Sequence, residues 1–245
     1  MAVRARRLWS EWSLRMGRPL LHETGKLLVE QPGDREALDS WRTMLDMGLR
    51  ADRLSRGRVG EEWPGFRADQ ATVDRLGGVL DPEVVLTGLR SWLSNEGIEW
   101  RAEALEVKPN AVRCGSGWAE FDQVILTAGA WTRRWIDVPM EITRQELVYF
   151  DASALGDRLK GLPVFSDLAS GFYAIPTVKD GRIKVANHHP GRLGHPDGDD
   201  RKVSSEFKAK AREFLSGHLP ELAESTIEWE YVCFYSGTAD RDFIL

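Results

Sequence analysis

Two short stretches place reactive side chains on strands. In "RIKVANHH", the two-residue period of a strand sends Arg182, Lys184, Ala186 and His188 to one face. Lys184 and His188 are then about 13 Å apart along a regular strand at about 3.3 Å per residue. They cannot touch, but they could bracket something wide and flat lying across the sheet. In "YVCFYS" the same period aligns Tyr231, Cys233 and Tyr235. A sheet face offering an amine, an imidazole, a thiol and phenols is chemically loaded. Each residue also has an ordinary reading: a strand lysine is commonly a solvated edge residue, and a lone cysteine commonly a small core hydrophobe. A third stretch, "QVILTAGAW", carries the apolar run Val124, Ile125 and Leu126, which reads as a strand buried on both faces. It ends in Thr127, Ala128, Gly129 and Ala130, ahead of Trp131. Small residues at a strand end let a backbone approach a flat ligand, and they equally suit a tight strand-to-loop turn.

Other chemistries find less support. His188 and His189 of "HHPGRLGH" point to opposite faces of a strand and no carboxylate pattern completes a site, so no metal is expected. "DGDD" at 197–200 lacks the spacing of a calcium loop, and "CGSGWAE" has neither a third glycine nor a following helix. Two cysteines far apart in 245 residues make neither a disulfide framework nor a zinc pattern. A net charge of −5 gives no electrostatic reason to expect nucleic acid or an anionic membrane as partner. No run approaches the length of a membrane span and no apolar segment follows the N-terminal arginines, so the expected compartment is the reducing cytoplasm. Hydrophobic content of 42% against 29% charged is that of an ordinary globular chain able to bury a sizeable core.

Periodicity supplies the elements that must position these groups. "RARRLWSEWSLRMG" reads as a helix stopped by Gly17, and "PLLHETGKLLVE" as a short hairpin turning at "TG". "GDREALDSWRTMLDMGLRADRL" reads as a helix capped by Asp34, followed by a loop containing "EEWPGF". "LDPEVVLTGLRSWLSNEG" reads as a helix with Asp81 as cap, Pro82 at its first position and a stripe of Val85, Leu86, Leu89 and Leu93. Gly97 closes it. "IEWRA" is expected as a strand, and "NAVRCGSGWAEF" and "GFYAIPTVKDGRIKVANHH" as hairpins turning at "GSG" and "KDG". "RQELVYFDAS" and "IEWEYVCFYS" read as strands. "SSEFKAKAREFLSGHLPEL" reads as an amphipathic helix with Phe207, Ala211, Phe214 and Leu215 on one side.

In order along the chain, "LLHETGKLLV", "EEWPGF", "GVLDPEVVLTGLRSWL", "VILTAGAW", "RQELVYF", "FYAIP", "IKVANHHPG" and "CFYSGTADRDFIL" resemble the monomeric sarcosine oxidase family. These are flavin-dependent amine oxidases of the D-amino-acid-oxidase-like (DAO) superfamily. The resemblance implies FAD, held covalently through a thioether to Cys233. It implies Tyr173 and Tyr235 lining the substrate pocket, Lys184 over the flavin promoting reaction with oxygen, His188 near the ring, and Thr127, Ala128, Gly129 and Trp131 packed on the cofactor. The implied reaction oxidises the C–N bond of a secondary or primary amino acid, such as an N-methyl amino acid, to an imine while O2 becomes H2O2. It further implies a mixed α/β (α+β) fold, with an incomplete Rossmann-like FAD-binding layer and a largely antiparallel substrate sheet with flanking helices. The expected divisions are a helical and hairpin part over 1–73, a partial FAD-binding domain over 74–136 and the substrate domain over 137–245. The family's Gly-x-Gly-x-x-Gly opening and its closing segment are not matched, so the expectation is an internal portion with little activity alone. The alternatives are a non-catalytic subunit or remnant that self-associates or pairs with a complementary chain, and a small-molecule binding module without redox chemistry.

Overall fold

The computed structural model describes residues 2–101, 103–177, 179–240 and 242, so Phe243, Ile244 and Leu245 of the closing motif lie outside the described residues. The first half runs α1 (Ala2–Arg15), β1 (Leu21–His22), β2 (Lys26–Val29), α2 (Arg35–Asp46), β3 (Ala51–Ser55), α3 (Arg56–Glu62), β4 (Gln70–Asp74), β5 (Val79–Leu80), α4 (Pro82–Asn95), β6 (Ala104–Lys108), β7 (Ala111–Cys114) and β8 (Gly117–Glu120). After a 3-10 turn at Gly129–Arg134 come β9 (Met140–Asp151), α5 (Arg158–Gly161), β10 (Val164–Asp167), β11 (Phe172–Pro176), β12 (Arg182–Asn187), α6 (Ser205–His218) and β13 (Ile227–Thr238). Two compact units result. One holds the described residues up to Asp81 with Gln145–Gly191 and Asp200–Cys233; the other holds Pro82–Arg144, Arg192–Asp199 and the described residues from Phe234 on.

An eight-stranded sheet runs in the order β13-β9-β12-β11-β10-β2-β4-β3. Only the β2–β10 neighbours among its registered pairs are parallel; β9–β12, β12–β11, β11–β10, β2–β4 and β4–β3 are antiparallel. In the first unit one face of this sheet is apolar. Leu27, Val29, Val73, Val148, Phe150, Phe165, Ala174, Ile183 and Val185 alternate onto it and are buried. Helix α6 closes that face. Ser204 caps it, its Oγ accepting from the Phe207 amide at 3.2 Å. Phe214 packs on Phe165 and Phe172, each with ring centroids 5.6 Å apart, and Phe207 reaches Phe172 at 5.7 Å. Each phenylalanine buried there contributes roughly 1.5–3 kcal/mol of transfer free energy.

The second unit holds α4 and the three-stranded sheet β6-β7-β8. Val85 and Gly88 form the buried stripe of α4, while Leu86 is exposed, one residue and about 100° around the helix from Val85. Gly97, at φ +85°, turns the chain so that its own amide reaches the Ser94 carbonyl and the Ile98 amide reaches that of Leu93. The hairpin at "GSG" is present, with Cys114 opposite Gly117.

Four expected elements differ. The "TG" hairpin does not form: β1 pairs with β5, and β2 lies between β10 and β4 inside the large sheet, which buries Leu27, Leu28 and Val29 together. The helix expected through "RADRL" ends at Asp46, where Gly48 takes a positive φ, and Ala51–Ser55 becomes β3. "IEWRA" is not a strand over Ile98–Arg101; strand structure begins at Ala104. The run Val124–Leu126 is not a strand either, and Ile125 is 78% exposed. No described strand pairs with it, and without a partner's amides and carbonyls an apolar run cannot enter a ladder.

Candidate functional site

The other face of the first unit's sheet is chemically mixed. Lys184 sits opposite Tyr149 on β9 and Ile175 on β11. Two residues from Ile175, Tyr173 sits opposite Ser166; two residues from Ser166, Val164 sits opposite Lys26. All therefore point the same way. Strand β13 joins them through Trp229, whose ring lies 5.8 Å from that of Tyr149. Alternation then carries Tyr231 and Cys233 to the same face. Lys184 and Cys233, distant in sequence, thus share one surface, and each feels the other's charge. Burial pushes the Lys184 ammonium below its ordinary pKa, with the Cys233 thiolate acting the other way. Burial pushes the Cys233 thiol up, opposed by Lys184 and by Arg201. Among the described residues the Lys184 ammonium has no hydrogen bond or ion pair; the Tyr173 ring centroid lies 5.7 Å from its Nζ.

Tyr173 is the centre of the face. It stands directly opposite Ala186, whose single methyl leaves room for the diagonal neighbours on β12 and just beyond. Lys184 leans in from one side, and the His188 ring stacks on Tyr173 from the other at 4.3 Å and 22°. Lys184 and His188, too far apart to touch, meet through one phenol. The chain turn behind His188 depends on Gly171, whose carbonyl accepts from the His188 amide at 2.8 Å. Gly171 has φ +73°, and a Cβ there would lie 2.7 Å from Asn187 Oδ1 and from the His189 ring, so a larger residue cannot replace it without displacing both. Burial, then the charges of Lys26, Lys184 and His189, hold His188 below its ordinary pKa, which favours a neutral imidazole.

Thr127, Ala128, Gly129 and Trp131 lie in the second unit. Gly129, at φ +53°, opens the 3-10 turn, so this segment is a turn rather than a strand end. The Trp131 indole donates to Asp197 Oδ1 at 2.9 Å and Arg134 donates to Asp197 Oδ2 at 2.8 Å. These two bonds hold the Asp197 carboxyl below the usual range. Trp131, Arg134, Met140, Leu193, His195 and Asp197 border a cavity of about 540 Å³ in this unit. Tyr235 also belongs to it, exposed and two residues past Cys233 along β13.

Periodicity did not single out two further residues of the first unit's mixed face. Burial pushes Lys26 below its ordinary pKa, with Asp74 opposing, and Ser166 is 2% exposed with its Oγ unpartnered among the described residues. The available signal for Lys26 was an ionisable residue opening "KLLV", a strand otherwise buried throughout.

The profile of the FAD dependent oxidoreductase family, DAO, matches residues 1–245, and the chain belongs to that family. A search of curated proteins found no match. Among solved structures, glycine oxidase from Geobacillus kaustophilus superposes with a TM-score of 0.80 at 16% identity, over 98% of this chain and 67% of that one. L-proline dehydrogenase from P. horikoshii gives 0.80 at 16% identity, over 97% and 66%. Fructosamine oxidase from Aspergillus fumigatus gives 0.73 at 19%, over 95% and 61%. Likenesses at this identity establish the mixed α/β fold of FAD oxidases, and the chain spans roughly two thirds of the length of these structures or somewhat less. The mixed face fits the family's cofactor chemically. A half-buried cation with no carboxylate partner among the described residues, a thiol on the same face and an aromatic floor suit a planar ring that gains negative charge.

Proposed function

We propose that the protein oxidises the C–N bond of a secondary or primary amino acid to an imine, in the manner of sarcosine oxidase, with O2 reduced to H2O2. The observation that carries this reading is the common face of Lys184 and Cys233, floored by Tyr173. Glycine oxidase, proline dehydrogenase and fructosamine oxidase, by their names, support an amino-acid-type amine as substrate. FAD, when bound, supplies a hydride acceptor and an electron donor for oxygen.

The chain's own groups have distinct parts in this reading. Lys184 supplies positive charge where negative charge develops, as a compact point charge does best. Cys233 would hold the cofactor through its sulfur, the thiol and C–H hydrogens displaced in forming the thioether leaving with two electrons to O2 as H2O2. Tyr173 bounds the substrate. His188, kept neutral, is the base available to the substrate ammonium, because only a neutral amine can release hydride from its α-carbon.

Protein purified after expression with FAD should be yellow, retain its flavin in acid, and give peroxide with sarcosine, glycine or proline in a coupled peroxidase assay. Cys233→Ala should release the flavin into acid while the protein stays folded. Colourless protein giving no peroxide with any of the three would overturn the reading. A second reading, pairing with another copy or a complementary chain, draws on the edge strand β13, where Trp229 and Tyr231 are 58% and 56% exposed. Light scattering showing a monomer at all concentrations would remove self-pairing.

A further inference from the structure

We infer that Lys26 forms, on the same face as Lys184, a subsite for a carboxylate borne by the substrate's side chain, so that the preferred substrate is an acidic or dicarboxylic amine. This deepens the oxidase reading and rests on it for the identity of the face.

Lys26 opens β2 opposite Val164, and Lys184 lies on β12, three strand spacings away in the order β12-β11-β10-β2. At about 4.8 Å per spacing the two backbones are about 14 Å apart. That span leaves Lys184 to the ring and sets Lys26 at the far end of a substrate lying across β11 and β10. The floor between them is Ile175, Val164, Tyr173 and Ser166. His188 feels the charge of both lysines, so positive potential extends from one to the other.

Among the described residues this charge is only partly offset, by Asp74. Lys26 has no hydrogen bond or ion pair among the described residues. Its cross-strand neighbour Asp74 is the one acid that bears on it, and Asp74 Oδ1 accepts from the Leu76 amide at 2.8 Å within its own turn. The Gly77–Gly78 turn buries the lysine stem: a Cβ on Gly77 would lie 2.8 Å from Lys26 Cβ. A half-buried cation with so little compensation opposes folding, and such breaks in local consistency gather at functional sites. The hydroxyl of Ser166, one strand away, also lacks a hydrogen-bond partner among the described residues. A carboxylate is the group that a desolvated ammonium binds most strongly among those an amine substrate carries.

Calorimetric titration of the purified chain with glutarate and with glutaramate, its uncharged-amide isostere, tests this without turnover. Glutarate should bind at least ~10-fold tighter, about one charge-assisted hydrogen bond's worth. Lys26→Met should erase that preference while leaving glutaramate affinity and the melting midpoint no lower than wild type. Equal affinities in the wild type, a preference that survives in Lys26→Met, or displacement of glutarate by equimolar inorganic phosphate would overturn the subsite. So would a lowered midpoint in Lys26→Met, since it would assign the residue to folding through Asp74. A chain that prefers glutarate but oxidises no amine keeps the anion subsite and loses the oxidase reading; one that oxidises amines without the preference loses the subsite alone.

Discussion

The two faces of the first unit's sheet are written by alternate residues of the same strands, yet they follow opposite rules. Leu27 and Val29, Phe165, Phe172, Ile183 and Val185, and Val148 and Phe150 are covered by α6 and its surroundings. Even the polar groups at that side are bonded: His218 Nδ1 lies 2.8 Å from the Arg67 carbonyl, and Asp167 accepts from the Ala169 amide at 2.9 Å. The opposite set, Lys26, Ser166, Tyr173 and Lys184, leaves two ammonium groups and a hydroxyl without hydrogen-bond partners among the described residues. One face supplies free energy and the other spends some of it to keep charge out of water. A period of two lets a single sheet do both, since a substitution on one face need not disturb the other.

Three measurements would break or sharpen that contrast. Phe165→Ala, on the closed face, should lower unfolding free energy by about 3–5 kcal/mol in a denaturant titration, through lost transfer energy and the cavity left among Phe66, Phe214 and His218. A loss under about 1 kcal/mol would mean that this face is not the stabilising one. Lys184→Met should do the reverse, leaving the unfolding midpoint unchanged or raised, because it removes a desolvated cation that no described carboxylate pairs. In the flavin-loaded protein it should also slow reoxidation by oxygen by about 10²–10³-fold, with flavin reduction by amine largely preserved. A Lys184→Met protein that unfolds as easily as Phe165→Ala would erase the distinction between the faces. The smallest effect concerns pH. Burial holds His218 below its ordinary pKa, against the Arg67 carbonyl and Asp167. The unfolded chain then takes up the proton first, so this contribution to stability is complete above about pH 6.5 and is lost as pH falls toward the folded-state value. Melting curves between pH 8 and 5 should show that decline in the wild type and a shallower one in His218→Gln.

Local signals in the sequence read well wherever an element is defined by its own residues. Asp34 caps α2, Gly97 ends α4, "GSG" and "KDG" turn their hairpins, and the stripe of α6 faces the sheet. Two of the misreadings are of elements whose identity depends on a distant partner. "LLHETGKLLV" looks like a hairpin because its two halves flank a turn, but β1 and β2 find separate partners in β5 and in β4 with β10. "VILT" is apolar enough to be a central strand, but it has no described partner and Ile125 stands exposed. Lys26 escaped notice for the same reason. Nothing near it in sequence shows that β2 lies two strands from Tyr173 and three from Lys184.

By itself the sequence determined which side chains alternate together along each strand, because side-chain direction follows backbone period and needs no neighbour. Thus Lys184 travels with Ala186 and His188, and Cys233 with Tyr231 and Tyr235. Only the tertiary structure decided that β9 lies between β12 and β13, that Tyr173 is set opposite Ala186, and that Lys26 is turned to the same side as Lys184. Register is chosen by burial summed over the whole sheet, so it can bring a lysine and a thiol from remote segments onto one surface that neither segment specifies alone.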